Sequence, residues 1–162
     1  MKEAIQTLLK SDKMAHAFEY LKQDEAHTID QQIELVQISS FSPFEEKRAI
    51  RFKELLTEAG LDPVMDEVHN VYAHIHGTGI GPTLYVSAHL DTVFPPETPL
   101  PVKREGTKIY APGIGDDTRG LAEILTLARA IKESGLKPVG DIIIGGNVGE
   151  EGLGDLRGMR HF

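Results

Sequence analysis

Residues 141–146 read Asp-Ile-Ile-Ile-Gly-Gly, a run that is apolar on both faces of any strand it forms. A strand without polar alternation needs cover on both sides, the position of a central strand in a mainly parallel sheet with helices on each face. The segment before it supplies one such helix. Leu121, Ile124, Leu125, Leu127, Ala128 and Ile131 recur at helical spacing, and the pattern stops near Gly135. Residues from Ile5 to Leu21 and from Ile29 to Ile38 predict amphipathic surface helices. Ser42-Pro43 followed by Glu45 and Glu46 predicts a further helix from Pro43 to Ala59, with Ser42 as cap and Pro43 at its first position. Short β-type runs follow at Val64–Val68, Val71–Ile75 and Thr83–Ser87, and Thr107–Tyr110 reads as the second half of a hairpin. The expected class is α/β, with a mixed, mainly parallel sheet and helices on both faces. No repeat, low-complexity tract or Ser/Pro linker divides the 162 residues, so a single domain is expected.

Composition narrows the chemistry. With 17 Lys and Arg against 25 Asp and Glu, the net charge of -8 argues against a nucleic-acid partner, which requires clustered positive charge. There is no cysteine, so any metal must be held by His, Asp and Glu rather than by thiolates. No apolar run is long enough to span a bilayer and no leader pattern opens the chain, so no membrane partner and a cytoplasmic location are expected.

The residues able to do chemistry concentrate in His89-Leu90-Asp91, Gly115-Asp116-Asp117 and Glu150-Glu151-Gly152. Each lies just past the carboxyl end of a predicted strand or at the start of a predicted helix, where open α/β sheets gather ligands. Each also has an ordinary explanation when taken alone. His89 and Asp91 are two apart, so in extended backbone their side chains point the same way and can meet one metal or one another, yet such a pair also suits a solvated loop end. Asp116 suits a helix cap, and Glu150 with Glu151 suits an acidic turn. What favours function is convergence of three strand ends on one rim. There one Glu could ligate a metal while its neighbour takes a proton from water that the metal activates.

The ordered set His-x-Asp, Gly-x-Asp-Asp and Glu-Glu-Gly resembles that of the two-zinc exopeptidase and deacylase family that includes peptidase T, glutamate carboxypeptidase and acetylornithine deacetylase. The resemblance runs from about Thr28 onward and is closest in Tyr85 to Pro95, which contains Ser-Ala-His-Leu-Asp-Thr-Val-Phe-Pro. It implies a hydrolase that cleaves a peptide or N-acyl amide bond with water activated between two zinc ions; cobalt or manganese would suit the same ligands. Carried over by position, it implies that His89, Asp116 and Glu151 are metal ligands, Asp116 bridging both ions. It further implies that Asp91 orients His89, that Glu150 is the general base, and that Asp117 is a neighbour rather than a ligand. It also implies a cis peptide between Asp116 and Asp117, and a homodimer for the full-length protein.

The chain departs from that family at Thr118-Arg119-Gly120 and at Asn147-Val148-Gly149, which bears on substrate detail. The family's remaining acidic ligand and late histidine have no counterpart after Gly152, since Asp155 is too close and His161 is in the wrong context. The expectation is therefore an amino-terminal portion of a catalytic domain, without the lid or dimerisation domain and inactive by itself. The contrasting reading is a non-catalytic fragment or structural domain with at most weak metal binding. His74 and His76 read as ordinary strand-face residues, Gly77 to Gly81 as a turn, and Ser39, Ser40 and Ser87 as lacking any nucleophile-elbow sequence.

Overall fold

The structure, a computed structural model, describes residues 2–162. Six helices and six strands follow in the order α1 (Lys2–Leu9), α2 (Asp12–Gln23), α3 (Glu25–Val36), α4 (Glu46–Glu58), β1 (Val64–Met65), β2 (Val71–Ile75), β3 (Leu84–His89), β4 (Lys103–Glu105), β5 (Lys108–Tyr110), α5 (Thr118–Ser134), β6 (Ile142–Asn147) and α6 (Arg157–His161). Strands β1, β2, β6 and β3 form one sheet in that spatial order, while β4 and β5 form a separate hairpin.

The fold is α/β and its sheet is mixed. Among the described residues, however, only β3 with β6 is parallel; β1 with β2 and β2 with β6 are antiparallel. The connections explain this. β1 and β2 are joined by a tight turn in which the Asp66 carboxylate accepts the N–H groups of Val68 and Asn70, and such a turn reverses the chain. β3 reaches β6 through the long crossover helix α5, which permits a parallel pair.

The helices are distributed unequally over the two faces. Val71, Ala88 and Ile144 join Leu35, Phe52, Leu55, Leu56, Leu121 and Leu125 in one buried core, so α3, α4 and α5 share one face of the sheet. Helices α2 and α3 pack over α5, which is why α5 is buried far beyond one stripe. The opposite face carries Tyr72 and Tyr85, covered by Phe162 just beyond α6. The Phe162 ring stacks on Tyr85 at 4.3 Å and meets Tyr72 edge-on at 5.4 Å. Ile143 on that face is half-buried.

Two helical expectations are corrected. The pattern from Ile5 to Leu21 is two helices, broken at Ser11, whose extended backbone (ψ 132) caps α2. Pro43 does not open α4. Ser42-Pro43 is a cis bond in a turn closed by Phe44 N–H to the Phe41 carbonyl, and α4 begins at Glu46. The Phe41 segment is drawn instead into a bridge with Thr92, a tertiary pairing that local capping signals do not encode. The hairpin at Thr107–Tyr110 is present, and α5 ends in a left-handed Gly135 (φ 63), a conformation that suits glycine. Among the described residues no helix is long and apolar enough to cross a membrane.

Candidate metal centre

The parallel pair β3–β6 sets the site. His89 lies opposite Asn147 in the register, so both strands end at the same edge and release Asp91 on one side and Glu150-Glu151 on the other. Asp117 caps α5 at that edge. One of its carboxylate oxygens accepts Gly120 N–H at 3.0 Å and the other accepts His89 N–H at 3.1 Å. A single side chain thereby ties the start of α5 to the end of β3. The peptide between Asp116 and Asp117 is cis.

Asp91 does the same for the two loops. It is fully buried, and its Oδ1 and Oδ2 accept the backbone N–H groups of Glu150 and Glu151 at 3.0 and 2.8 Å. His89 Nδ1 meets the Asp91 carbonyl oxygen at 3.0 Å, closer than the Asp91 carboxylate at 3.7 Å. A carbonyl only accepts, so Nδ1 carries the proton and Nε2 faces the carboxylates. That nitrogen is 2.8 Å from Asp116 Oδ1 and 3.9 Å from Glu150 Oε2.

His89, Asp116 and Glu151 each offer a ligand atom, and those atoms lie within 4.8 Å of one another. The electrostatics are unbalanced. Burial pulls the His89 imidazole down, but the bond to Asp116 and the charges of Asp91 and Asp117 outweigh it and hold the ring above its ordinary value. Burial raises the Glu151 carboxyl, and the Asp116, Glu150 and Asp91 charges push it further up. Burial likewise raises Asp117. One imidazole thus sits among more carboxylates than it can neutralise. A donor set of one imidazole nitrogen and several carboxylate oxygens, carrying surplus negative charge, fits a divalent cation.

The side of the cluster away from the core is open. The Asp116 side chain is 78% exposed and borders a cavity of about 360 Å³ lined in part by Thr92, Phe94, Ile114 and Glu151. A larger cleft of about 580 Å³ lies beyond Glu151, between Phe41, Pro43, Val93, Leu153 and Arg157.

Residues 85–162 match the profile of Peptidase family M20/M25/M40. Over these residues the chain is similar to the M20 peptidases. Carboxypeptidase G2 of Pseudomonas sp. (strain RS-16) is 38% identical over 84 residues, covering 51% of this chain and 20% of that protein. A tripeptidase from Staphylococcus aureus superposes with a TM-score of 0.63 at 31% identity, over 78% of this chain and 37% of its own. The YXEP protein of Bacillus subtilis, described as a dinuclear metal binding peptidase from the M20 family, shares the fold at 15% identity with a TM-score of 0.57, over 78% of this chain and 36% of its own. The chain therefore spans about a fifth of carboxypeptidase G2 and just over a third of the two solved relatives. The family seen in the sequence resemblance is the family found here, and its fold class is the one observed.

Other residues weighed in the sequence lie elsewhere. His74 on β2 and His76 just beyond it stack on each other at 5.9 Å, with His76 3.6 Å from Asp141, far along the sheet from His89. His161 faces Asp66 and Glu67, and Asp155 pairs with Arg160. Ser40 donates to the Leu90 carbonyl, a structural bond.

What the sequence did not reveal is the support behind the rim. Arg48, buried in α4, donates to the carbonyls of Ile38 and Leu90, and burial pushes its guanidinium down to about 10, still charged at neutral pH. Adjacent acids and bases in Glu45-Glu46-Lys47-Arg48 read as a solvated helix face, and nothing local distinguishes the two that turn inward.

Proposed function

We propose that this chain supplies the amino-terminal portion of the catalytic domain of a metal-dependent hydrolase that cleaves a peptide or N-acyl amide bond. The observation that carries the reading is the meeting of His89, Asp116 and Glu151 within 4.8 Å at the shared end of two parallel strands. The match of residues 85–162 to the M20 peptidase profile and a structural neighbour described as a dinuclear metal binding peptidase support it.

His89 Nε2, Asp116 and Glu151 would hold the metal, Asp116 reaching a second ion from its exposed side. Zinc is the natural fit to mixed nitrogen and oxygen donors. When bound, two such ions supply Lewis-acid polarisation of the scissile carbonyl and acidify water at neutral pH. The protein's own contribution is positional. Asp91 holds Glu150 and Glu151 by their backbone N–H groups, leaving both carboxylates free to act. Glu150, 3.9 Å from His89 Nε2 and about half exposed, is the base that takes a proton from water and returns it to the leaving amine. Asp117 spends its oxygens on Gly120 and His89 N–H and is a support. The amide bond would enter over the open side of Asp116.

Calorimetry and elemental analysis with Zn²⁺ on the intact chain, its His89→Ala and its Asp116→Ala variants test the reading. Zinc retained by the parent and lost in both variants supports it. Equal zinc content in all three would sink it.

A further inference from the structure

Behind the Glu150-Glu151 turn lies a second charged pair that the chemistry above does not use. Glu45 is 0% exposed, and its Oε2 accepts a 2.6 Å bond from Arg157 Nη2. Its other oxygen, Oε1, is buried without a hydrogen-bond partner among the described residues. Arg157 Nη1 also donates to Ser42 Oγ at 3.3 Å.

The Arg157 side chain lies on the neck of the glutamate turn. A Cβ built on Gly149 would meet Arg157 Nη1 at 2.8 Å and Cγ at 2.9 Å, and Gly149 has a φ of +67, so contact and conformation both exclude a side chain there. Gly149 immediately precedes Glu150. The turn is closed on the same side by Gly158 N–H to the Val148 carbonyl at 2.9 Å and by Gly154 N–H to the Glu151 carbonyl at 2.9 Å. Buried Asn70 braces it, accepting Val148 N–H at 3.1 Å and donating to the Gly158 carbonyl at 3.0 Å. Glu45 is the point at which this loop is fastened to the core. It directly precedes α4, whose Ala49 and Phe52 are fully buried.

A buried carboxylate with one cationic partner and one idle oxygen is poor value as a stabilising device, because desolvation offsets much of the attraction. Its geometric effect is large. We propose that Glu45 and Arg157 are positioning residues for the Glu150-Glu151 pair: α4 holds Glu45, Glu45 holds Arg157, and Arg157 presses on Gly149 to set where both glutamates emerge. Asp91 pins the turn from the strand side and Arg157 pins it from the helix side. The metal measurement below rests on the proposed ligand role of Glu151; the exchange measurement does not.

Arg157→Met alone strands a buried charge and is expected to destabilise the fold, so the charge-free double variant Glu45→Leu/Arg157→Met carries the test. Amide hydrogen exchange is followed by NMR on metal-free protein. The expected result is exchange at Glu150 and Glu151 faster than in the parent by at least about tenfold, with Leu125 and Ile144 unchanged. Parent-like protection at Glu150 and Glu151 overturns the proposal, and so does uniform acceleration that includes Leu125 and Ile144. Zn²⁺ titration of the same variant is expected to give a Kd about 10- to 100-fold higher, the usual effect of losing support behind a ligand; an unchanged Kd also overturns it. If the parent takes up no Zn²⁺, the metal reading fails and the exchange result alone decides the positioning role.

Discussion

Two clusters of charged residues in this chain are built on opposite principles. Between α2, α3 and α5, the Asp24 carboxylate accepts Thr126 Oγ1 at 2.7 Å and Arg129 Nη2 at 2.6 Å, and Arg129 Nη1 reaches Gln31 at 2.8 Å. Burial alone would raise Asp24, but the bonds from Thr126 and Arg129 win and hold it below its ordinary 3.8. One carboxylate meets one guanidinium, and the donors are used. At the sheet edge, one imidazole faces Asp91, Asp116, Asp117, Glu150 and Glu151, and the carboxyls of Asp117 and Glu151 are pushed up instead of down. The first cluster is closed and structural. The second keeps negative charge in reserve, as a ligand site must, and the sign of the carboxyl shifts separates the two where a count of charged residues does not.

The sharpest way to break this contrast is to remove a rim ligand. His89→Ala is expected to abolish Zn²⁺ binding measured by calorimetry, at a cost of about 1–3 kcal/mol in urea unfolding because the buried ring's bonds to the Asp91 carbonyl and to Asp116 are lost; retained binding would erase the distinction between the clusters. The reverse experiment is Arg129→Met. It leaves buried Asp24 without its guanidinium and should cost about 3–5 kcal/mol in urea unfolding, with Zn²⁺ affinity unchanged. A loss of zinc there would show that the two clusters are coupled.

Asp91→Asn sharpens the comparison from within the rim. The amide keeps one acceptor but turns an N–H towards a backbone N–H, so a loss of about 1–3 kcal/mol is expected, with a 10- to 100-fold weaker zinc Kd. A change in stability alone would make Asp91 a purely structural residue.

Acid titration separates the clusters by sign. The depressed Asp24 contributes stability that is fully present above its unfolded value of 3.8 and is lost as pH falls through the lower folded value. Glu151 is raised from 4.5, so the folded chain binds its proton more tightly and metal-free stability declines as pH rises from 4.5 through the folded value. Urea midpoints against pH should lose the low-pH decline in Asp24→Asn and the higher-pH decline in Glu151→Gln. The smallest effect belongs to His76→Ala, just beyond the end of β2: within about 0.5 kcal/mol in stability and no change in zinc, since its charged partner is Asp141 at 3.6 Å.

The fold class was legible because it depends on patterning. The Ile142–Ile144 run and the Leu121–Ile131 periodicity mark a central strand and a heavily buried helix, and both are where they were expected. Helix starts were less legible. Pro43 carries every local sign of a first helical residue, yet the Phe41 segment is recruited to pair with Thr92, and a contact across 51 positions overrides a capping preference. What meets the second face of the sheet was not legible for a similar reason, since Phe162 reaches Tyr72 and Tyr85 there from a distant part of the chain.

By itself the sequence determined which residue types reach the rim, because strands and the loops leaving them carry their order directly: His89, Asp91, Asp116, Glu150 and Glu151 follow from where β3, α5 and β6 begin and end. Only the tertiary structure decided what holds them. That Asp91 grips two backbone N–H groups, that Asp117 ties β3 to α5, and that Glu45 turns inward to Arg157 are pairings across 28 to 112 positions. Hydrogen bonds of that range depend on which elements the core brings together, and no local spacing encodes them.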